Sequence, residues 1–410
     1  MKLLEKSILC IEKEEQFGAH NYQPLPVVLD RGEGVYVWDV DNRKYYDFLS
    51  AYSAVNQGHC HPKIIEALIN QSKKLTLSSR AFYNSQLGDY EEFITKLFGF
   101  DRVLPMNTGA EAVETALKIC RKWAYEKKGI ALNTAEIVVC DGNFHGRTTT
   151  ITSFSNDENA RNNFGPYTPG FVSIPYNNLA ALETLLRTNK NIAGFLVEPI
   201  QGEAGVYVPS EGYLAEAKKI CEQHNVLFIA DEIQTGIART GKMLAIDHEN
   251  VKADVLILGK AISGGVYPVS AVLANKAIME VIKPGQHGST FGGNPVAAAV
   301  AKSALQVVLD EKLAENALKL GLLFREKIQE LVDRYDVLVS VRGKGLLNAI
   351  VINSDESSSL AWDVCLKLRD NGLLAKPTHG NKIRFAPPLV ITEKQLLECV
   401  EIIEKTVKTF

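Results

Sequence analysis

Two short runs of uninterrupted apolar residues, 226–230 (Val-Leu-Phe-Ile-Ala) and 255–258 (Val-Leu-Ile-Leu), each stop at charge, the first at Asp231-Glu232 and the second at Gly259-Lys260. Such runs are too brief for helices and too apolar for strands with one wet face, so they read as strands covered on both sides. Similar runs recur at residues 102–106, 136–140, 192–198 and 269–273, with helical patterns among them. Strands alternating with helices fold as a mostly parallel sheet flanked by helices, and residues just beyond the strand ends then face the ligand crevice. Asp231 and Lys260 are thereby candidates for one shared site.

The helix after the first strand is expected to start at Thr108, whose hydroxyl can cap it while Glu111 reaches back. Val113, Ala116, Leu117 and Cys120 form its apolar face, and Gly129 is positioned to stop it. Beyond about residue 310 the pattern changes to a long charged helix over 314–334 and short strands at 337–341 and 346–352, which predicts a smaller α+β domain. A chain of 410 residues exceeds the usual limit for one core, in keeping with a large domain and a smaller companion.

Composition excludes several function classes. A net charge of −3 carries no nucleic-acid or membrane footprint. No apolar stretch approaches the ~18 residues that span a bilayer, so a soluble protein is expected. The seven cysteines lack Cys-x-x-Cys spacing and are odd in number, which favours a reducing compartment. Glu12, Glu14 and Glu15 are out of place in a transit peptide, and no targeting segment is read; a cytoplasmic location is expected.

A buried lysine amine and a strand-end carboxylate meet the demands of pyridoxal phosphate. The cofactor's aldehyde is held as an imine by an amine that can later act as a base, and a carboxylate opposite the pyridine nitrogen keeps that nitrogen protonated. Lys260 and Asp231 are the respective candidates. Either alone reads equally well as a strand terminus or a solvated loop charge. Their surroundings decide: residues 227–241 (Leu-Phe-Ile-Ala-Asp-Glu-Ile-Gln-Thr-Gly-Ile-Ala-Arg-Thr-Gly) lead into 258–265 (Leu-Gly-Lys-Ala-Ile-Ser-Gly-Gly). With residues 18–22 (Gly-Ala-His-Asn-Tyr), 107–112, 143–147 (Asn-Phe-His-Gly-Arg), 198–203 (Glu-Pro-Ile-Gln-Gly-Glu) and 288–290, this resembles the subgroup III pyridoxal-phosphate-dependent aminotransferases from about Phe17 to the C-terminus.

The resemblance implies a fold type I α/β architecture: a large domain with a mostly parallel seven-stranded sheet over 56–310, a small α+β domain over 311–410, and residues 1–55 packing with the latter. It places Gly109 and Ala110 on the cofactor phosphate, with Ser289 and Thr290 supplied by the other subunit of a homodimer with shared active sites. Phe144 and Ile233 would face the pyridine ring and Gln234 its phenolic oxygen. The substrates it implies are L-ornithine, donating its δ-amino group, and 2-oxoglutarate. Arg147 would hold ornithine's α-carboxylate and Arg384 the oxoacid's, each guanidinium matching a carboxylate with two hydrogen bonds. Glu203 would pair with Arg384 during the ornithine half-reaction, and Tyr22 and Tyr52 would complete the pocket. N-acetylornithine and 4-aminobutyrate are the alternative donors. His145 departs from the pattern, since a Trp often follows the aromatic residue at that point.

Three other motifs are set aside. Residues 236–242 have P-loop spacing, but Met243 replaces the magnesium-binding hydroxyl. His59-Cys60-His61 lacks a second ligand cluster, and no metal is expected. Gly343-Lys344-Gly345 lacks the third glycine of a dinucleotide fingerprint.

Overall fold

The computed structural model describes residues 3–410. At its centre lies a seven-stranded sheet: β1 (Arg102–Met106), β2 (Glu136–Cys140), β3 (Phe171–Ile174), β4 (Ile192–Val197), β5 (Leu227–Asp231), β6 (Val255–Leu258) and β7 (Ser270–Ala274). Their spatial order is β1-β7-β6-β5-β4-β2-β3. All neighbours run parallel except β7, which is antiparallel to both β1 and β6.

The period of two residues explains the unbroken apolar runs. In β5, Phe228 and Ala230 enter one core cluster while Leu227 and Ile229 enter the other. In β6, Leu256 and Leu258 alternate with Val255 and Ile257 in the same way. Both faces are buried, and each fully buried Val, Leu or Ile side chain contributes about 1.5–3 kcal/mol.

Helix α1 (Gly109–Trp123) begins with the expected capping box, Glu111 N–H donating to the Thr108 hydroxyl and the Glu111 carboxylate accepting from Thr108 N–H at 3.0 Å. It continues through a wider π-type turn over Ala124–Lys128 and ends at Gly129, in the left-handed conformation at φ 82°. Its apolar face sits close to β4. A Cβ on Gly194 would come within 2.6 Å of Cys120 Sγ, so only glycine admits the helix at this depth.

Strand β3 was not read from the sequence. It is the edge strand, and Ser173 interrupts its apolar residues on the exposed face, so it lacks the unbroken apolar run that marked the others.

Two smaller sheets join the chain's ends. Leu29–Glu33, Tyr36–Asp39 and Lys44–Asp47 form an antiparallel meander, and Leu373–Leu374 adds to Lys44–Asp47 in parallel. Leu338–Lys344, Leu347–Ile352, Lys382–Phe385 and Lys376–Pro377 form the other, with the helix Leu313–Val332 packed on it. The buried Phe48, Phe324 and Phe385 rings meet at centroid distances of 5.8–6.2 Å and lock these parts together.

Candidate active site

Strands β4, β5 and β6 end side by side, and the residues that leave them are Glu198, Asp231 and Lys260. Gly109, Ala110, Phe144, Glu203, Asp231, Ile233, Gln234 and Lys260 line one cavity of about 140 Å³, together with His145 and Glu198. The cavity lies against the N-terminus of α1, whose first N–H groups and positive dipole end suit an anion. Close approach there depends on small residues: a Cβ on Gly109 would lie 3.1 Å from Ile233 Cδ1, and one on Gly146 3.0 Å from Ala110 Cβ.

Lys260 follows an extended Gly259 and has a φ of 44°, a left-handed conformation disfavoured by roughly 1–2 kcal/mol for an L-residue. Its amine makes no hydrogen bond or ion pair among the described residues. Burial pushes its pKa down to about 8, with Arg384 adding to the effect and Glu203 opposing it. A lysine so placed carries far more neutral, nucleophilic amine near physiological pH than an ordinary lysine does.

Asp231 is fixed on both carboxylate oxygens. Oδ1 accepts from Ile233 N–H at 3.0 Å and Oδ2 from His145 Nδ1 at 2.6 Å. His145 is fully enclosed. Burial disfavours its imidazolium, but the hydrogen bond and charge of Asp231, helped by Glu198, outweigh that and raise its pKa. His145 Nε2 has no hydrogen-bond partner among the described residues. Glu198 accepts from Phe144 N–H at 2.9 Å, and burial drives its carboxyl up to about 8 against the lowering effect of His145.

Arg384 and Glu203 meet at 2.8 Å. Arg384 Nη1 and Gln234 Nε2 both donate to Glu203 Oε1, the latter at 2.9 Å, while Arg384 Nε has no partner. Burial opposes the Glu203 carboxylate, but the charges of Arg384 and Lys260 dominate and hold its pKa down at about 2. Gly202 makes room for this arrangement, since a Cβ there would overlap Gln234 Oε1 at 1.5 Å.

The remaining predicted residues stand outside the inner cavity. Tyr22 and Tyr52 border an adjoining cavity of about 610 Å³, and Tyr22 is 67% exposed. The Tyr52 ring covers the Arg384 guanidinium with Cζ 4.9 Å from its centroid. Burial, then Glu203, raises the Tyr52 pKa, which Arg384 and Arg147 pull the other way, so these charged groups surround one phenol. Arg147 is exposed at the rim, 5.8 Å from the Phe144 ring centroid. Ser289 accepts a hydrogen bond from Asn107 at 2.8 Å, just before α1, and Thr290 is exposed; neither lines the inner cavity.

The sequence reading did not single out Glu198, although it leaves its strand as Asp231 leaves β5, and the same rule would have found it. His145 was noted only as a departure, because nothing local announces a partner 86 positions away. The discarded motifs are structural. Arg239 and Thr240 of the P-loop-like run are fully buried, His59 pairs with Asp47 at 2.7 Å and His61 with Glu311 at 2.9 Å. No group of three or more metal-ligating side chains occurs among the described residues.

Known proteins share this chain's sequence and fold. The rat protein named "Ornithine aminotransferase, mitochondrial" is 60% identical over 97% of this chain and 90% of its own length. A crystal structure of an acetylornithine aminotransferase from Elizabethkingia anophelis superposes with a TM-score of 0.91 and 65% identity, covering 98% of this chain and 99% of that one. The ornithine aminotransferase of Toxoplasma gondii, whose active site holds pyridoxal phosphate at partial occupancy, gives a TM-score of 0.95 at 49% identity over 98% of this chain and 94% of that one. The class-III aminotransferase profile matches residues 17–407, nearly the full length, and this chain belongs to the class-III aminotransferases.

Proposed function

We propose that the protein transfers the δ-amino group of L-ornithine to 2-oxoglutarate, giving L-glutamate 5-semialdehyde and L-glutamate, with pyridoxal phosphate as cofactor. The observation that carries this reading is the buried Arg384–Glu203 pair beside Lys260, a carboxylate site that is closed in one arrangement and can open in another.

The cavity fits the cofactor. It offers an amine with no partner among the described residues, a carboxylate held on both oxygens, the start of α1 at Gly109 and Ala110, and an aromatic face. Lys260 would hold the aldehyde carbon, Asp231 the pyridine nitrogen, Gln234 the phenolic oxygen, and Gly109 and Ala110 the phosphate. Phe144 and Ile233 would enclose the ring. When bound, the cofactor supplies an electron sink for the substrate carbon that carries the amine.

The chain's own groups supply the rest. Lys260 Nζ, with its pKa lowered to about 8, would take a proton from that carbon and deliver it to the cofactor's aldehyde-derived C4′ carbon, and would run the transfer in the opposite direction when the oxoacid is the partner. Arg147 receives the α-carboxylate of ornithine at the rim and leaves the δ-amine directed inward, with Tyr22 near the α-amino group. During this half-reaction Glu203 neutralises Arg384, which would otherwise face the donor's aliphatic chain as a bare buried charge. Only Oε1 of Glu203 is engaged, so one side-chain rotation frees Arg384 for a second carboxylate. Both half-reactions share one site, which predicts ping-pong kinetics with parallel double-reciprocal lines.

A second reading has specific support: the 65% identical Elizabethkingia protein is named for acetylornithine. The deciding measurement is the visible spectrum of the holoenzyme with L-ornithine, N-acetylornithine or 4-aminobutyrate and no oxoacid. Loss of the yellow band with ornithine supports the proposed donor. Bleaching only by another donor refutes it and leaves the cofactor chemistry standing.

The same reading includes a homodimer. It is supported by the position of Ser289 and Thr290 outside their own inner cavity, and by nearby Phe291, 49% exposed. Sedimentation at a single-chain mass would count against it. We retain the division 1–55, 56–310 and 311–410, the first two residues of which lie outside the described residues; the pairing of Leu373–Leu374 with Lys44–Asp47 supports joining the first and last parts. No helix among the described residues is long and apolar enough to cross a membrane. A cytoplasmic setting is favoured by seven unpaired cysteines, and fractionation of the native source would test it.

A further inference from the structure

The segment that carries Tyr52 adopts a form that its sequence does not favour. Ser50, Ala51, Tyr52 and Ser53 all have positive φ, at 48°, 44°, 61° and 73°. None is glycine, so every residue of this left-handed turn crowds its own Cβ against the backbone. Such a turn persists only where its surroundings fix it.

Backbone bonds from Tyr52 N–H to Leu49 O and from Ala54 N–H to Ser50 O close the turn, and Asp47 is the side chain that fixes its entry. It ends the strand Lys44–Asp47, and its Oδ1 accepts from the N–H groups of Leu49 and Ser50, both at 2.9 Å. These bonds set the chain's direction as it enters the turn. Its Oδ2 accepts from His59 Nε2 at 2.7 Å, so neither oxygen is free to let go alone.

His59 is itself clamped. Its backbone exchanges two hydrogen bonds with Gly34, at 2.8 and 3.0 Å. Its imidazole lies on Gly32, where a Cβ would come within 2.8 Å of the ring. The imidazole therefore meets Asp47 from a rigid mount, and at the far end of the turn the Tyr52 ring rests over Arg384.

We propose that Asp47, clamped by His59, is a positioning residue for donor selection: it locks the left-handed turn that holds Tyr52 over the Arg384 guanidinium. The inference rests on the reading above, in which Arg384 and Glu203 sort substrates. Released from Asp47, the turn relaxes toward right-handed geometry and carries the phenol off Arg384. The guanidinium face is then open, and the wall that an ornithine chain would meet is lost. Substrates that do not use this wall keep their affinity, so selectivity falls while proton transfer at Lys260 continues.

The test is a cycle on the holoenzyme. Asp47→Ala is expected to lower the kcat/KM ratio of ornithine to 4-aminobutyrate about tenfold, through the KM for ornithine, with kcat changed by no more than about threefold. Tyr52→Ala should lower the ratio too, and adding Asp47→Ala to it should change the ratio no further, because Asp47 acts through Tyr52. His59→Gln, whose amide can still donate to Asp47, should keep the ratio within about twofold, whereas His59→Ala should lower it. A crystal structure of Asp47→Ala should show the ring displaced from Arg384. Additive effects in the double variant would overturn the proposal, as would an unchanged ratio with the ring displaced or an equal loss for every donor. Should Asp47→Ala not fold, the His59→Ala and His59→Gln pair decides by the same ratio. The wild-type spectrum with each donor tests the ornithine reading separately, and if it fails, the cycle is read on the two donors that the wild type does accept.

Discussion

The inner floor of the site and its outer mouth are built differently. The floor takes Glu198, Asp231 and Lys260 from the ends of three adjacent strands, and each is braced by hydrophobic layers on both faces of the sheet. The mouth takes Tyr22, Tyr52 and Arg147 from turns and loops, and most of it is open, with Tyr22 67% exposed. Chemistry common to many amines needs one fixed geometry, which a sheet supplies. Discrimination among amines needs surfaces that can vary without disturbing that sheet, which loops supply.

Substitutions should therefore divide by region. The largest effect is expected at the floor: Lys260→Ala should reduce the half-reaction with any donor by about 10⁴-fold or more, as measured by single-turnover absorbance. Asp231→Asn leaves His145 with a neutral partner in a closed site, and the broken buried pair, about 3–5 kcal/mol, should lower turnover by about 10²–10³-fold for all donors alike. A selective loss with either floor variant would break the comparison.

At the boundary, Glu203→Ala should favour glutamate over ornithine by about 100-fold in kcat/KM, because Arg384 is left open to a second carboxylate. Uniform loss would remove the switch. At the mouth, Tyr22→Phe should raise the KM for ornithine about tenfold, the loss of one hydrogen bond to a charged group.

The smallest effect is a pH profile. Capture of pyridoxal phosphate by the apoprotein requires neutral Lys260, whose pKa burial lowers to about 8. The rate should rise about tenfold per pH unit below that value and level off above it. A rise continuing to the ordinary lysine range, near 10.5, would mean that the floor is wetter than its packing implies.

How much of this was legible in the sequence follows the same division. The floor could be read because two-sided burial writes continuous apolar runs, and charge at the end of such a run stands out. Thr108 and Glu111 announced the start of α1 for a similarly local reason, the capping box. Strand β3 could not be read, since an edge strand whose apolar residues are broken by exposed Ser173 has no such signature. The bond from His145 to Asp231, 86 positions apart, and the brace from His59 to Asp47, 12 apart across an irregular loop, were both silent, because neither spacing matches a periodic pattern and each pair meets only after folding. Arg147 and Arg384 were found through their motifs alone; nothing in a single arginine foretells that Arg384 is 2% exposed while Arg147 lies open.

The pairing of Leu373–Leu374 with Lys44–Asp47 bears on how the protein is made. Residues 44–47 cannot complete their sheet until residues 373–374, more than 300 positions later, have been synthesised. Asp47 ends one of the paired strands, and Arg384, which Tyr52 covers, comes from the late-emerging part. The central sheet, complete by Ala274, can form while translation is still under way, whereas the contact of Tyr52 with Arg384 waits for residues more than 100 positions later, so a product terminated between the two would carry Lys260 and Asp231 without Arg384.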